Sequence, residues 1–118
     1  MKRYMGMLAP VILMLVAPAL WAETVNGVLM DQRCSAQVAT KGYAGAQAHT
    51  RACAMMPPCE ASGYVVVTPE GKVLKFDAAG NKQAVAALKA TTKKDDLTVT
   101  VEGTVSGENI AVQSLKIT

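Results

Sequence analysis

Residues 97–117 have the sequence LTVTVEGTVSGENIAVQSLKI, and this stretch decides the fold class. Apolar and polar residues alternate from Leu97 to Val105, with the period of two that is typical of a half-buried β-strand. A Gly-containing turn leads into a last strand from Ile110 to Ile117. The inward-facing positions of that strand change phase near Gln113-Ser114, which predicts a β-bulge there.

Three further strands and one helix precede this pair. Val25 to Met30 predicts the first strand. Tyr64 to Thr68 and Lys72 to Asp77 predict a hairpin around a Gly-containing turn. Asn81 is expected to cap a helix that ends near Ala90. This order predicts a mainly β domain, a five-stranded OB-like barrel with one short helix between strands 3 and 4 and a long Cys/His loop between strands 1 and 2. An open α+β meander is the alternative architecture.

The first 22 residues have the composition of a secretory signal peptide. Lys2 and Arg3 give a positive start, and the run from Met7 to Leu20 is mainly apolar. Small residues occupy the candidate cleavage positions Ala17, Ala19 and Ala22. The run is shorter than the about 20 residues that a membrane span needs, so a retained anchor is the less favoured alternative. We expect residues 1–22 to be removed, and residues 23–118 to form one periplasmic or secreted domain.

The charge and the aromatic content of that domain argue against two classes of partner. The chain has 12 Lys and Arg against 9 Asp and Glu, and because Lys2 and Arg3 belong to the signal, the formal charge falls from +3 to +1. Its aromatic residues are Tyr43, Tyr64 and Phe76. A nearly neutral domain with few stacking residues predicts no nucleic-acid partner and no membrane partner after signal cleavage. The expected partner is a protein or a small ligand that the sequence does not identify.

The loop between the first two strands holds the residues most suited to chemistry. It is longer than the about 12–15 residues at which an unstructured loop is usually functional or disordered. His49 and Cys53 are four residues apart, a spacing that places both on one face of a helix. Met55 and Met56 are adjacent thioethers, which favour Cu(I). The loop therefore predicts a zinc or copper site whose candidate ligands are Cys34, His49, Cys53 and Cys59.

A structural disulfide is the alternative use of the cysteines. Cys34 pairs with Cys53 or with Cys59 in this hypothesis, which adds roughly 2–4 kcal/mol and leaves one thiol unpaired. The spacings contain no C-x-x-C motif of a redox, haem or common zinc site. Asp31 is expected to cap the turn before Cys34, or else to orient a ligand imidazole from a second shell.

Several short motifs follow one another along the chain in a particular order. They are Val25-x-Gly27, Asp31-x-x-Cys34, His49-x3-Cys53, Cys59, Ser62-Gly63-Tyr64, Gly71-Lys72, Lys75-Phe76-Asp77, Gly80-Asn81 and Val101-x-Gly103. In this order they resemble a group of small exported bacterial proteins of unassigned function with an OB-like strand order. The resemblance implies a compact exported domain with a conspicuous set of Cys34, His49, Cys53 and Cys59, and it implies no activity. Pro57-Pro58 departs from the pattern by widening the last cysteine gap.

The residue types favour a binding domain over an enzyme. His49 is the one histidine of the chain, so it alone is available as an imidazole base. Cys53 with His49 forms a conceivable nucleophile and base, but the sequence offers no third group for them. We therefore expect an exported small binding domain, without enzymatic activity, that holds a metal through its Cys/His loop. The alternative is a disulfide-stabilised interaction module without metal.

Overall fold

The computed structural model describes residues 22–118, so the predicted signal peptide lies outside the described residues except for Ala22. The elements are, in chain order, β1 (Glu23–Asp31), α1 (Gln32–Ser35), α2 (Val38–Ala48), α3 (Arg51–Ala54), α4 (Pro57–Ser62), β2 (Tyr64–Val67), β3 (Val73–Phe76), α5 (Ala78–Ala90), β4 (Thr98–Ser106) and β5 (Asn109–Ile117). Within these residues, no helix has both the length and the apolar character needed to span a bilayer.

The five strands form one mixed sheet. β1 pairs antiparallel with both β2 and β4, β2 pairs antiparallel with β3, and β4 pairs antiparallel with β5. β3 and β5 are parallel and pair at two positions, Lys75 with Asn109 and Phe76 with Ile110. The prediction of a β-rich small domain of five strands, with a helix between the third and the fourth, is confirmed.

The predicted bulge lies in the pairing of β4 with β5. Glu102 is opposite Ser114 and Gly103 is opposite Val112, so Gln113 is the extra residue of β5. A Cβ atom on Gly103 would overlap the carbonyl oxygen of Ala111. The change of apolar phase in the sequence therefore marks a real change of register, and the glycine permits the close approach of the two backbones.

α5 begins four residues before the position that the sequence predicts. Asp77 is its N-cap, and the Asp77 side chain accepts a hydrogen bond of 3.0 Å from the Gly80 N–H. Asn81 lies inside the helix, where its Oδ1 accepts the N–H of Tyr64 at 2.9 Å. The prediction that Asn81 caps the helix is wrong, because Asp77 can cap the same helix one turn earlier.

The connection between β1 and β2 is not an irregular loop, because four short helices fill it. α3 lies in the stretch around His49 and Cys53 where a helical spacing is expected. Three of the helices begin at a local signal: the side chains of Asp31 and Thr50 cap α1 and α3, and Pro57 is the first residue of α4. Apolar periodicity does not reveal them, since α2 buries only Val38 and Ala46 among its eleven residues. We call residues 32–63 the insertion.

The insertion creates a second hydrophobic core. One face of β1 and β2 packs into the main core of the sheet and α5 through residues such as Leu29 and Val66. The opposite face forms a smaller cluster with α2 and consists of Val28, Met30, Val38, Ala46, Val65 and Val67, with Cys34, Tyr43 and Val73 packed against it. α2 therefore covers the outer face of β1 and β2, and the end of β1 lies between the two cores.

Candidate functional site

Asp31 is the centre of the candidate site. It is the last residue of β1, its exposure is 0%, and no other charged residue in 22–118 is equally buried. Its Oδ2 accepts the N–H of Cys34 at 2.9 Å, which caps α1, and its Oδ1 lies 2.7 Å from Nε2 of His49. Both carboxylate oxygens therefore have a partner within the protein, as a buried charge requires.

His49 lies at the junction of α2 and α3. It is the C-cap of α2, its N–H donates to the Ala46 carbonyl at 3.2 Å, and its side chain is 8% exposed. Because the next residue, Thr50, is extended and caps α3, His49 and Cys53 do not share a helix. The prediction that they lie on one helical face is wrong, because the chain changes direction between them.

Two of the three cysteines lie beside Asp31. Cys34 on α1 and Cys59 on α4 each offer a sulfur atom, and these atoms and one Asp31 oxygen all lie within 4.8 Å of one another. Cys34 is half-buried and Cys59 is 7% exposed. All three cysteines carry free thiols in this structure. The site thus unites two residues that are distant in the sequence with the carboxylate at the end of β1.

Two hydrogen bonds hold α1 against α4 and so keep the two thiols together. The N–H of Gln32 donates to the Gly63 carbonyl at 2.8 Å, and the N–H of Arg33 donates to the Ser62 hydroxyl at 3.2 Å. The first and last residues of the insertion are therefore adjacent. The position of Cys59 relative to Cys34 depends on this contact, which sequence spacing does not reveal.

The pKa values of the carboxyl group and of the two thiols in the site are shifted in opposite directions. Burial acts to raise the pKa of Asp31, but hydrogen bonds from the Cys34 backbone and from His49 outweigh burial and lower that pKa. Burial and the neighbouring Asp31 raise the pKa of Cys34 to about 12. Burial and Asp31 also raise the pKa of Cys59. Asp31 is therefore ionised and accepts the His49 Nε2–H, whereas both thiols are protonated at neutral pH.

The remaining candidates lie outside this group. Cys53 is exposed on α3, and its N–H donates to the Thr50 hydroxyl at 3.1 Å. It lines a surface cleft together with His49, but it is not part of the Asp31, Cys34 and Cys59 group. Met55 packs against the main core and Met56 is 53% exposed. The structure thus brings Cys34 and Cys59 together and leaves Cys53 outside their group.

Asp31 has a larger part in the site than the sequence suggested. The structure shows the expected cap on α1, and it also shows the contact with His49. Its carboxylate is one of the three clustered ligand groups, whereas His49 is outside that group and contacts the carboxylate. The signal for this role is the spacing of Asp31 and Cys34, because an N-cap carboxylate lies next to the residue whose N–H it accepts.

Comparisons of the chain with protein-family models, with curated proteins and with solved structures found no match in any of the three. We therefore infer the chemistry of the site from its own residues. Thiolate and carboxylate groups are both zinc ligands in proteins, and tetrahedral bonds of about 2.3 Å place ligand atoms about 3.8 Å apart. The observed ligand atoms, which all lie within 4.8 Å of one another, are compatible with that geometry.

Proposed function

We propose that this chain is an exported small binding domain that holds a zinc ion through Cys34, Cys59 and Asp31. The observation that carries the proposal is the convergence of their three ligand atoms within 4.8 Å, around a carboxylate that is fully buried. Exposed acidic clusters are common without a metal, but a buried carboxylate beside two thiols has the composition of a metal site. The role is one of binding and not of catalysis.

The donor set favours zinc over copper. Cu(I) prefers soft thiolate and thioether ligands, whereas Met55 packs against the main core and Met56 is 53% exposed. Two sulfur atoms with one carboxylate oxygen suit the borderline Zn²⁺ ion. His49 acts as the outer partner of Asp31, because a hydrogen bond to a ligating carboxylate orients it and tunes its charge. Copper is the competing outcome of the metal titration.

The fold that we propose for this domain is an OB-like barrel. Its support is the set of strand pairings, in which β1 has both β2 and β4 as neighbours and β3 is parallel to β5. In OB-like proteins the connection between the first two strands is a usual ligand-binding element, and here that connection carries the site. The domain would act outside the cytoplasm after removal of residues 1–22, with a small ligand or protein as its further partner.

A disulfide-stabilised interaction module is the second candidate function. The same proximity favours it, since Cys34 and Cys59 are the pair that the fold brings close, and exported proteins meet an oxidising environment. A Cys34–Cys59 bond would close most of the insertion into a loop and contribute roughly 3–4 kcal/mol in the chain-entropy description. The pairing of Cys34 with Cys53 has no such support, because Cys53 lies outside the group.

Metal titration of protein expressed from the full-length chain tests the proposal. The protein is purified anaerobically and reduced, and zinc and Cu(I) are then titrated against a competing indicator. We expect one zinc per chain with a Kd below micromolar, loss of binding in Cys34→Ser and Cys59→Ser, and retention of binding in the matched control Cys53→Ser. Zinc binding no tighter than micromolar would refute the proposed site.

Intact mass with thiol blocking separates the two candidate functions. Protein recovered without reductant is blocked, denatured and weighed. One blocked thiol at Cys53, a Cys34–Cys59 disulfide and no zinc in the native spectrum would favour the interaction module. Three thiols that become blockable on denaturation, with a zinc adduct in the native spectrum, would favour the metal site.

A further inference from the structure

Cys34 and Cys59 can serve a metal or a disulfide, but not both at once. We propose that the site is redox-gated: a disulfide oxidant joins Cys34 to Cys59 and thereby releases the zinc ion. This inference rests on the proposed zinc site and names how that site is regulated. It uses the proximity of the two sulfur atoms, the unequal exposure of the two thiols and the way in which Asp31 is held.

Hydrogen bonds within the protein hold together the two helices that carry the thiols. The Gln32 N–H donates to the Gly63 carbonyl and the Arg33 N–H donates to the Ser62 hydroxyl, and these bonds join α1 to α4. Sulfur atoms bound to one zinc lie about 3.8 Å apart. They need to approach by somewhat less than 2 Å to reach the about 2.05 Å of a disulfide. Loss of the ion therefore leaves the two thiols within reach of each other.

Asp31 tolerates the loss of the ion. Its Oδ2 accepts the Cys34 N–H and its Oδ1 lies against His49, so each oxygen has a partner within the protein that does not depend on a metal. An unpaired buried carboxylate would oppose metal release, because an uncompensated buried charge is strongly destabilising. The cap and the histidine remove that obstacle, so the site can alternate between metal-bound and oxidised forms without unfolding.

The unequal exposure of the two thiols sets the order of the steps. Cys34 is half-buried and Cys59 is 7% exposed, so an external disulfide reaches Cys34 first. The Cys34 thiolate would leave the metal and attack one sulfur of the oxidant, forming a mixed disulfide and releasing one thiolate of the oxidant. The Cys59 thiolate would then attack the Cys34 sulfur and release the second thiolate of the oxidant. The two cysteine thiolates lose two electrons to the oxidant, the two released thiolates take up protons from water, and Zn²⁺ departs.

The experiment exposes zinc-loaded protein, expressed from the full-length chain, to oxidised glutathione while an indicator reports free zinc. We expect one zinc per chain to appear at the rate at which a Cys34–Cys59 disulfide accumulates in the mass map. Reductant and added zinc should restore the loaded form. Cys53→Ser should release zinc at the same rate, because Cys53 is outside the group. Cys59→Ser, which we expect not to bind zinc, is treated with oxidised glutathione without metal and should stop at a glutathione adduct on Cys34, because the second thiol is absent.

The outcomes separate the two proposals. If the chain binds no zinc before the oxidant is added, both the proposed function and the proposed redox gating are refuted. A chain that binds zinc and keeps it, while only Cys53 acquires glutathione, retains the proposed function and refutes the gating. Release of zinc with a disulfide that includes Cys53 also refutes the gating, because it requires a rearrangement of the insertion.

Discussion

Oδ1 of Asp31 lies 2.7 Å from Nε2 of His49, and this contact joins the end of β1 to the junction of α2 and α3. Both side chains are almost fully buried, so the hydrogen bond operates away from bulk water, where its partners are costly to separate. The contact therefore couples the sheet to the insertion as well as orienting the carboxylate beside Cys34 and Cys59.

Removal of the Asp31 carboxylate should destabilise the domain more than removal of an ordinary helix cap. We expect Asp31→Ala to lower the free energy of unfolding by about 2–4 kcal/mol, because it removes the α1 cap and leaves a buried imidazole without its partner. The matched control is Thr50→Ala, which removes the side-chain cap of α3 and should cost about 1 kcal/mol. Urea denaturation measures both, and equal losses would contradict the coupling.

The reduced, metal-free protein should lose stability in alkaline solution. The pKa of Cys34 rises on folding from 9.0 to about 12, and that of Tyr64 rises from 10.0 to about 12, in both cases mainly through burial. The stabilisation is complete below the unfolded-state pKa and declines as the pH rises towards the folded-state pKa, since the unfolded chain releases its protons first. The urea midpoint should therefore fall between about pH 9 and pH 12.

A substitution at Cys34 isolates the thiol contribution to this alkaline loss. In Cys34→Ser the midpoint should fall less steeply over the same pH range, because the thiol no longer titrates. An identical pH dependence in the variant and the parent protein would show that Cys34 ionises alike in both states.

The three thiols should react with iodoacetamide at different rates. We expect Cys53 to be alkylated first because it is exposed, Cys34 more slowly because its pKa is raised, and Cys59 last because it is also buried. Timed quenching with peptide mass mapping gives the order. Zinc should slow the reactions of Cys34 and Cys59 and leave that of Cys53 unchanged. Protection of Cys53 alone would contradict the proposed ligand set.

The bulge region should not tolerate a side chain on Gly103. A Cβ atom would meet the carbonyl of Ala111, so we expect Gly103→Ala to lower the free energy of unfolding by about 2 kcal/mol or more. Gly107 provides the control, because a Cβ atom there would have no other atom within 4 Å and because Asn tolerates its positive φ of 60°. Gly107→Asn should cost well below 1 kcal/mol. Comparable losses in the two variants would argue against the close β4–β5 approach.

The strands were predictable because their pattern is local. β4 and β5 face the core on one side, so alternation and its change of phase at Gln113 reflect burial directly. The insertion was not predictable to the same degree. Its helices are short, bury few residues and depend on caps such as Thr50, and such signals are easily taken for turns.

The sequence predicted the types of residue that form the candidate site, but not which of the cysteines belong to it. Asp31, Cys34 and Cys59 meet because Gln32 bonds to Gly63 and so brings α4 against α1. No spacing rule distinguishes Cys53 from Cys59 in advance. The choice between them depends on the direction in which α4 leaves Met56, and that direction is a property of the folded chain.

The contact of α1 with α4 brings the two ends of the insertion together. Asp31, Cys34 and Cys59 all lie near these ends, where the chain leaves the sheet and returns to it, whereas His49 contacts Asp31 from the middle of the insertion. α2 must keep its packing on β1 and β2, and His49 must keep its contact with Asp31. The exposed surface of the insertion is free to diversify within those limits, while the site stays anchored to the sheet.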